Sequence, residues 1–265
     1  MRPSTLFRII RGRVEDVPIE LSTPVIHQAI LRAIDRATPT GLSGDYLDVG
    51  SGVGKLLKLV AARYRVNCFA CDYTRELMRL PGQAVEIVDL NREPLPYPDN
   101  RFALVTCAET IEHLERYRET IREIYRVLKP GGIAILSTPN ILNFRSRLRY
   151  LSFGFPSLFG PLSADEQEIH SPAGHINPVA WPYLAHALLR AGFVDIELTV
   201  DKYQRRSLWV LLVLLSVQLA GWRAYRRELK KYLTINEKND WIVRKMNSFD
   251  VLLGRTLIVR ARKPQ

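Results

Sequence analysis

The chain has 265 residues, of which 47% are hydrophobic and 25% are charged, and this composition excludes intrinsic disorder, a fibrous repeat and a disulfide-built miniprotein. The length suits one large domain with additions. The 38 lysines and arginines outnumber the 27 acidic residues and give a formal charge of +11, which indicates an anionic partner such as a phosphate group, a nucleic acid or an acidic membrane surface.

The cysteines and the amino-terminal residues bear on the compartment. Residues 1–13 are basic but lack the apolar region of a secretory signal, so export is not expected. The odd number of cysteines, three, suits a reducing cytosol. Cys68 and Cys71 have the spacing of a redox or zinc half-site, but they fall in an apolar run typical of a buried strand, and no second pair completes a zinc site. We therefore expect a cytoplasmic protein in which this pair is structural.

Strands and helices alternate along the chain. Apolar residues at helical spacing predict a helix over 24–37. The following elements are a strand at 46–49, a helix at 53–64, strands at 66–71, 84–88 and 102–107, a helix at 114–128, a turn at 129–132 and a strand at 133–137. Beyond a loop or cap at 139–177 come a helix at 178–191 and strands at 193–200 and 256–263. This order predicts an α/β fold with a doubly wound, mostly parallel sheet that is covered on both faces.

The same pattern divides the chain into four parts. Residues 1–40 form an amino-terminal segment with its helix, and residues 41–202 form the core with the cap at 139–177. Residues 203–254 form a helical, partly hydrophobic insertion, and residues 255–265 return to the core as its final strand.

A glycine-rich turn follows the first strand of the core. Residues 47–54, Leu-Asp-Val-Gly-Ser-Gly-Val-Gly, place glycines at alternate positions between a strand and a helix. Open α/β sheets bind cofactors at such turns, because the backbone passes close to the ligand and the next helix exposes unpaired N–H groups. A dinucleotide fingerprint would need glycine at position 55, where this chain has Lys55, so a nicotinamide cofactor is disfavoured.

Acidic residues at the ends of the next two strands favour an adenosine ligand. Asp72 follows the second strand, where its acceptor-only carboxylate can receive both ribose hydroxyls. Asp89 follows the third strand, where it can accept a hydrogen from the adenine amino group. Each alone is compatible with an ordinary exposed turn, but the two together at one edge of a sheet indicate a binding site.

These motifs, together with the stretch 109–140, closely resemble class I S-adenosylmethionine-dependent methyltransferases. The resemblance covers roughly residues 40–200 and is nearest to the branch that contains ubiquinone-biosynthesis O-methyltransferases and many enzymes of glycan and lipid modification. It implies a Rossmann-like seven-stranded sheet with an antiparallel last strand and S-adenosylmethionine as cofactor. The cofactor contacts that it implies are Asp48 near the amino group, Gly50 and Gly52 against the methionine portion, Asp72 on the ribose, Asp89 with Leu90 at the adenine, and Ser51, Tyr73 and Glu109 as further contacts.

A candidate base follows the fourth strand. The methyl of a sulfonium is already electrophilic, so the enzyme has to align donor and acceptor and remove a proton from the acceptor. Residues 109–113, Glu-Thr-Ile-Glu-His, place an imidazole at the mouth of the expected cofactor crevice. We therefore expect O-methylation of a small, glycan or lipid-linked acceptor, with His113 as base or acceptor contact and His175 as the second catalytic candidate.

The same stretch has two alternative interpretations. Glu109, Glu112 and His113 with a later histidine, His175 or His170, also resemble the divalent-metal site of small-RNA 3′-terminal 2′-O-methyltransferases, where a metal would polarise the acceptor oxygen. We favour the metal-free interpretation, because two carboxylates and two histidines make a site only if the fold brings them together. The other alternative is a cofactor-binding scaffold or regulator without catalysis.

Residues 207–233 have the pattern of an interfacial helix. The run 208–215 is apolar without a break but too short to predict a membrane span. Basic residues then recur at helical spacing beside apolar ones: Arg223, Arg226, Arg227, Lys230 and Lys231 beside Trp222, Tyr225, Leu229, Tyr232 and Leu233. Such a helix packs on the protein body or lies on an anionic membrane, and we favour the membrane slightly, which would make the protein peripheral. Nucleic acid is the less favoured partner, because the sequence contains no recognised RNA-binding module.

Overall fold

A computed structural model of the protein describes residues 22–161, 174–204 and 211–265. In the last of these ranges the side chains are described from residue 216 onward. The basic amino-terminal residues, His170 and the start of the apolar run at 208 lie outside these ranges. The division of the chain into core and insertion stays a prediction.

Seven strands of the described chain form one sheet. The strands are β1 (Ser43–Val49), β2 (Arg65–Asp72), β3 (Glu86–Ile87), β4 (Phe102–Ala108), β5 (Leu128–Pro139), β6 (Val194–Val200) and β7 (Thr256–Arg262). Their order is β3-β2-β1-β4-β5-β7-β6, and β7 runs antiparallel to both of its neighbours while the first five strands are mutually parallel. The expected Rossmann-like sheet with an antiparallel last strand is thus confirmed.

Helices surround this sheet and fill the long connection before β7. They are α1 (Pro24–Ala37), α2 (Lys55–Arg63), α3 (Tyr117–Val127), α4 (Phe144–Phe153), α5 (Trp181–Ala191), α6 (Leu211–Arg227), α7 (Asp240–Lys245) and α8 (Phe249–Leu253). A 3₁₀ turn covers Ile111–His113, and a π-helical turn covers Glu228–Tyr232. Among the residues that are described, no helix is both long and apolar enough to cross a membrane.

The two faces of the sheet carry two separate apolar cores. Alternate side chains of β1 point to opposite faces, so Tyr46 packs with α1 and α2 while Leu47 packs with α3 and α5. The same alternation puts Cys68 on the first face and Cys71 on the second. Because the two thiols lie on opposite faces of one strand, they do not form a common redox or metal site, which agrees with their expected structural role.

The start of β5 differs from the expected turn at 129–132. The structure continues the strand through these residues, from Leu128 instead of from 133. A bulge makes this possible, because the pairing with β4 shifts between Phe102 opposite Leu128 and Leu104 opposite Ile133. Gly131 has φ +74° inside the bulge, a backbone conformation that favours glycine. The Pro-Gly-Gly pattern therefore marks an irregular strand, which a local sequence pattern does not distinguish from a turn.

The expected loop or cap at 139–177 contains a helix, α4. The Asn143 side chain caps it by accepting a hydrogen bond from the Ser146 amide at 2.9 Å, and Gly154 ends it in the left-handed conformation. Ser146 is the buried residue of this helix, while Leu151 and Phe153 are exposed. The apolar side chains of this helix therefore do not pack on the core. The sequence indicated a loop because residues 139–177 are rich in Pro, Gly, Ser and Phe.

Residues 201–203 and 254–256, which we call the neck, connect residues 203–254 to the sheet. The Asp201 carboxylate after β6 accepts hydrogen bonds from the Thr256 amide at 2.9 Å and from Arg255 Nε at 2.8 Å. Tyr203 and Gly254 pair as an isolated antiparallel bridge. The insertion thus leaves and returns at one point of the sheet edge.

Trp181 offers a test of the packing between α5 and the insertion. Its indole is fully buried and donates a hydrogen bond to the Ile242 carbonyl of α7 at 3.2 Å. We expect Trp181→Ala to lower the free energy of unfolding by about 3–5 kcal/mol, because it leaves a large cavity. Trp222→Ala is the matched control, since that side chain is 52% exposed, and it should change the stability by less than about 1 kcal/mol. Equal losses in denaturant titration would contradict this packing.

Candidate active site

The glycine turn lies at the carboxyl end of β1, where this strand is flanked by β2 on one side and β4 on the other. This is the switch point of the sheet, at which open α/β folds bind ligands. Gly50, Gly52 and Gly54 all have positive φ angles, and a Cβ on Gly50 would overlap the Thr110 side chain. The turn therefore requires glycine both for its conformation and for its close approach to the loop after β4.

Asp72 ties the end of β2 to this turn. Its Oδ2 accepts a hydrogen bond from the Gly52 amide at 2.8 Å, and the residue is buried. Burial raises the pKa of the Asp72 carboxyl, while the Gly52 amide opposes the shift by stabilising the anion. Tyr73, the next residue, is half exposed at the same edge. The structure thus brings the expected ribose-binding residues to the turn.

Asp48 is the most deeply buried carboxylate of the cofactor set. It accepts a hydrogen bond from the Thr106 hydroxyl at 2.5 Å, and Thr106 in turn lies 2.7 Å from the Tyr46 hydroxyl. Burial raises the pKa of Asp48 to about 7, and the neighbouring Asp72 adds to this effect. Two carboxylates in a buried position create a preference for a positively charged ligand.

Asp89 and Leu90 occupy the same edge after β3. The Val88 amide donates to the Asp72 carbonyl at 2.9 Å, which brings this segment beside the end of β2. Asp89 accepts a hydrogen bond from the Asn91 amide at 3.0 Å and pairs with Arg92 at 3.3 Å, with 40% of its side chain exposed. Leu90 is partly buried against the core. Asp89 thus lies at the rim, where it has other partners besides a ligand.

The loop after β4 contains two acidic side chains, the partly buried Glu109 and the fully buried Glu112. Glu109 has φ +52°, unusual for a residue other than glycine, and accepts a hydrogen bond from the Ser137 hydroxyl at 2.9 Å. Burial raises the pKa of Glu109 to about 7. Glu112 is completely buried, and neither of its carboxylate oxygens has a well-formed hydrogen bond within the described residues. Burial, reinforced by Glu109, raises its pKa well above the ordinary value.

His113 and His175 meet although 61 residues separate them. The segment that carries His175 docks on the 3₁₀ turn, because the amides of Ile176 and Asn177 both donate to the Glu112 carbonyl, at 3.0 and 2.9 Å. The two imidazole rings pack edge to face with their centroids 4.8 Å apart. This pairing could not be derived from spacing alone, since it depends on where the intervening segment returns.

In both imidazole rings, Nδ1 is the nitrogen that lies beside a backbone carbonyl. His113 Nδ1 lies 2.8 Å from the Gly174 carbonyl and His175 Nδ1 lies 3.1 Å from the Leu158 carbonyl. A carbonyl oxygen accepts, so each Nδ1 must carry the hydrogen and each Nε2 keeps a lone pair in the neutral ring. Burial lowers the pKa of both rings, that of His175 to about 4. Two neutral imidazoles thus carry proton-accepting atoms near pH 7.

Three of the four candidate metal ligands converge. Potential ligand atoms of Glu112, His113 and His175 all lie within 4.8 Å of one another. Glu109 is not part of this group, since its carboxylate is held by Ser137 on β5. The donor set of one carboxylate and two imidazoles is one that binds divalent transition metals.

Comparisons with known proteins agree with this geometry. Residues 47–136 match the family model described as a methyltransferase domain. The chain is 28% identical over 166 residues to the ubiquinone/menaquinone biosynthesis C-methyltransferase of Desulfotalea psychrophila, covering 58% of this chain and 68% of that protein. It is 31% identical over 146 residues to the demethylmenaquinone methyltransferase of a Geobacillus species, covering 49% and 61%. A structure of an S-adenosylmethionine-dependent methyltransferase from Archaeoglobus fulgidus aligns with a TM-score of 0.54 at 17% identity, covering 89% and 94%.

The fold, the glycine turn with its two buried carboxylates and the family match together place the chain among the class I S-adenosylmethionine-dependent methyltransferases. It is therefore an enzyme of this class, and its cofactor is S-adenosylmethionine. The aligned parts span about two thirds of the curated relatives' length.

The residues present fit this cofactor. The cofactor carries an ammonium and a sulfonium, and the buried Asp48 and Asp72 favour positive charge. The Ser51 hydroxyl is buried without a hydrogen-bond partner in the described part of the chain, so it can bond to a ligand that enters the turn. The roles of individual residues in binding stay predictions.

Three threonines at the site did not emerge from the sequence. Thr106 orients Asp48, Thr110 packs against Gly50, and Thr138 lies beside Glu112. The pairing of Asp48 with Thr106 follows from the register between β1 and β4, which a single sequence does not specify.

Asp72 gives the most direct test of the cofactor site. We expect Asp72→Ala to weaken S-adenosylmethionine binding by roughly 30-fold or more in calorimetric titration, because two ribose hydrogen bonds to a charged acceptor are lost. Asp72→Asn keeps an oxygen for the Gly52 amide and separates loss of the ligand contact from loss of the turn. Asp89→Ala should have a smaller effect, since that side chain lies at the rim. Unchanged binding by a well-folded Asp72→Ala variant would disprove the assignment.

Proposed function

We propose that the enzyme transfers the methyl group of S-adenosylmethionine to a hydroxyl of a lipid-linked or otherwise amphiphilic small acceptor, with His113 as the base. The observation that carries this proposal is the neutral His113 ring, whose Nδ1 is fixed by the Gly174 carbonyl and whose Nε2 is left as a proton acceptor. S-adenosylmethionine supplies an electrophilic methyl group when it is bound.

The chain's own residues account for the remaining requirements. Asp48 and Asp72 bind and orient the cofactor at the glycine turn, which aligns the donor for displacement. His113 removes the acceptor proton, and His175 packs against it and fixes the position of its ring. Ile111 and Leu114, which precede and follow Glu112 and His113, are buried, and their apolar side chains limit the access of water to this part of the site.

The acceptor class is inferred from two observations. The relatives named above are, by their names, methyltransferases of ubiquinone and menaquinone biosynthesis, so an amphiphilic acceptor has precedent among similar proteins. Helix α4 exposes apolar side chains directly after β5, at the edge that carries the site. The relative from Desulfotalea is named a C-methyltransferase, and methylation of a ring carbon is therefore the main alternative to O-methylation.

An acceptor assay tests the proposal. Purified enzyme is incubated with S-adenosylmethionine that carries a deuterated methyl group and with a catechol, a short-chain demethylmenaquinol or a lipid-linked saccharide. We expect a labelled methyl ether on a lipid-bearing acceptor, identified by mass spectrometry and NMR. A product methylated at a ring carbon would show that the acceptor atom is carbon and not oxygen. If no methyl group is transferred to any of these compounds, the proposed acceptor class is wrong.

His113 determines the expected pH dependence of the same assay. A base must be neutral to accept a proton, and burial lowers the pKa of His113 below its ordinary 6.5, so the rate should be full near pH 7 and decline only at lower pH. His113→Ala should lower kcat by roughly 100-fold or more while cofactor affinity is kept. His186→Ala, an exposed position on α5, is the control. If His113→Ala lowers cofactor affinity and leaves kcat unchanged, His113 is a binding residue and not the base.

A second candidate function is metal-assisted 2′-O-methylation at an RNA terminus. The observation that favours it is the convergence of Glu112, His113 and His175, together with the absence of a well-formed hydrogen bond to Glu112 in the described residues. These three side chains would hold a divalent metal, which polarises an acceptor hydroxyl when it is bound. Against it, Glu109 lies outside the group.

Metal dependence separates the two candidates. If the enzyme acts without a metal, EDTA leaves turnover unchanged, and Mn²⁺ binding is undetectable both in the wild type and in Glu112→Gln, which removes the carboxylate charge. If the second is correct, EDTA abolishes turnover, Mn²⁺ binds the wild type by calorimetry and Glu112→Gln weakens that binding by roughly tenfold or more. Glu119→Gln, an exposed position on α3, is the matched control.

A further inference from the structure

Helix α6 and the π-helical turn after it carry an uncovered apolar stripe. Leu219 and Trp222 lie one turn apart on α6, Leu229 follows in the π-helical turn, and Leu233 comes directly after that turn in the left-handed conformation. All four side chains are exposed, Trp222 by 52% and Leu233 by 74%. A stripe of large apolar side chains in contact with water is unfavourable unless another surface covers it in the functional state.

A different side of α6 contacts the protein body. Gln218 Nε2 donates to the Asn247 carbonyl at 3.0 Å, and Gly221 allows the Asn247 side chain to approach closely. The Tyr225 hydroxyl donates to Asp240 of α7 at 2.6 Å, so this member of the predicted apolar face contacts the protein body. Because Gln218, Gly221 and Tyr225 fix the helix from one side, the apolar stripe is left for an external partner.

A row of basic side chains runs beside the apolar stripe. Arg223, Arg227 and Lys230 are exposed and follow each other at helical spacing. The Arg226 guanidinium lies 4.6 Å from the centre of the Trp222 ring and joins the two rows. Between positions 222 and 233 the sequence has five basic residues and one acidic residue, a net charge of +4.

This combination selects one kind of partner. A second copy of the chain would bring two strongly basic surfaces together, which like charges oppose. A nucleic acid would neutralise the basic row but would leave Leu229 and Leu233 uncovered. An anionic bilayer satisfies both rows, because leucine and tryptophan enter the interface while arginine and lysine bind the lipid headgroups. We propose that residues 219–233 form a docking surface that lies on an anionic lipid bilayer.

The position of this surface relates it to the active site. Helix α4, which starts directly beyond the carboxyl end of β5, contacts the same loop as α6, since Arg147 donates to the Met246 carbonyl at 2.9 Å. This helix adds exposed apolar side chains, among them Leu151 at 84%. Together with the neck at Asp201, these contacts attach the docking surface to the edge of the sheet that holds the cofactor site. A docked enzyme would therefore have its site next to the bilayer.

Vesicle flotation tests the proposal with the whole chain. We expect wild-type protein to float with vesicles of phosphatidylcholine and phosphatidylglycerol but not with phosphatidylcholine alone. The double variant Arg226→Glu, Lys230→Glu should lower the bound fraction by roughly tenfold or more, and Trp222→Ala with Leu229→Ala should weaken binding even at low salt. The control Lys58→Glu, Arg190→Glu changes the net charge equally at exposed positions on α2 and α5 and should leave flotation unchanged.

Three outcomes would overturn the docking surface. In the first, wild-type protein does not float with anionic vesicles. In the second, the control variant Lys58→Glu, Arg190→Glu loses as much flotation as Arg226→Glu, Lys230→Glu. In the third, light scattering detects a dimer that Trp222→Ala with Leu229→Ala abolishes. Calorimetric titration with S-adenosylmethionine is run on each variant, since an unchanged affinity excludes misfolding. Flotation needs neither cofactor nor acceptor, so its failure leaves the proposed methyl transfer untouched, and failure of the acceptor assay leaves the docking surface untouched.

Discussion

Two carboxylates that end neighbouring parallel strands constrain the whole site. Asp48 and Asp72 are buried where water does not stabilise their charge, and each is tied to a different element, Asp48 to Thr106 on β4 and Asp72 to the amide of Gly52. Between the two carboxylates the chain passes Gly50, and Thr110 lies so close to Gly50 that no side chain fits at this position. Burial makes the charge of these two carboxylates costly, which favours a ligand that carries positive charge or donates hydrogen bonds, and the rest of the turn keeps the two side chains in place.

The two histidines that are candidates for catalysis are positioned by a different kind of constraint, the docking of one backbone segment on another. One carbonyl, that of Glu112, accepts two amides from residues 176 and 177, and this contact brings His175 against His113. Two further backbone carbonyls select the tautomer of each ring. The chemistry of the site therefore depends on main-chain atoms that any residue type could supply, and substitutions at Gly174 or Leu158 would act mainly by moving these carbonyls.

The sequence predicted the parts of this structure that local patterns determine. Helix α1, the order of the strands along the chain and the carboxylates at strand ends follow from periodicity and from the direction of parallel strands. The antiparallel last strand was expected from the family resemblance. Helix α4 was missed because the composition of residues 139–177, rich in Pro, Gly and Ser, is typical of a loop, while the Asn143 cap and the terminal Gly154 that bound the helix lie within that segment. The convergence of His113 with His175, and the separation of Glu109 from both, depend on long-range docking that no local pattern encodes. The hydrogen bond between Tyr225 and Asp240 joins two helices, and a local pattern does not encode it either.

The neck at Asp201 has a consequence for how such an enzyme could diversify. The insertion begins and ends beside one carboxylate, so a change in its length alters the closure of one loop, whose entropic cost grows slowly with length. The sheet and the cofactor turn need not adjust to it. The proposed docking surface and the cofactor turn thus lie on different segments of the chain, so a change in residues 203–254 could alter the surface on which the enzyme docks while the cofactor turn stayed intact.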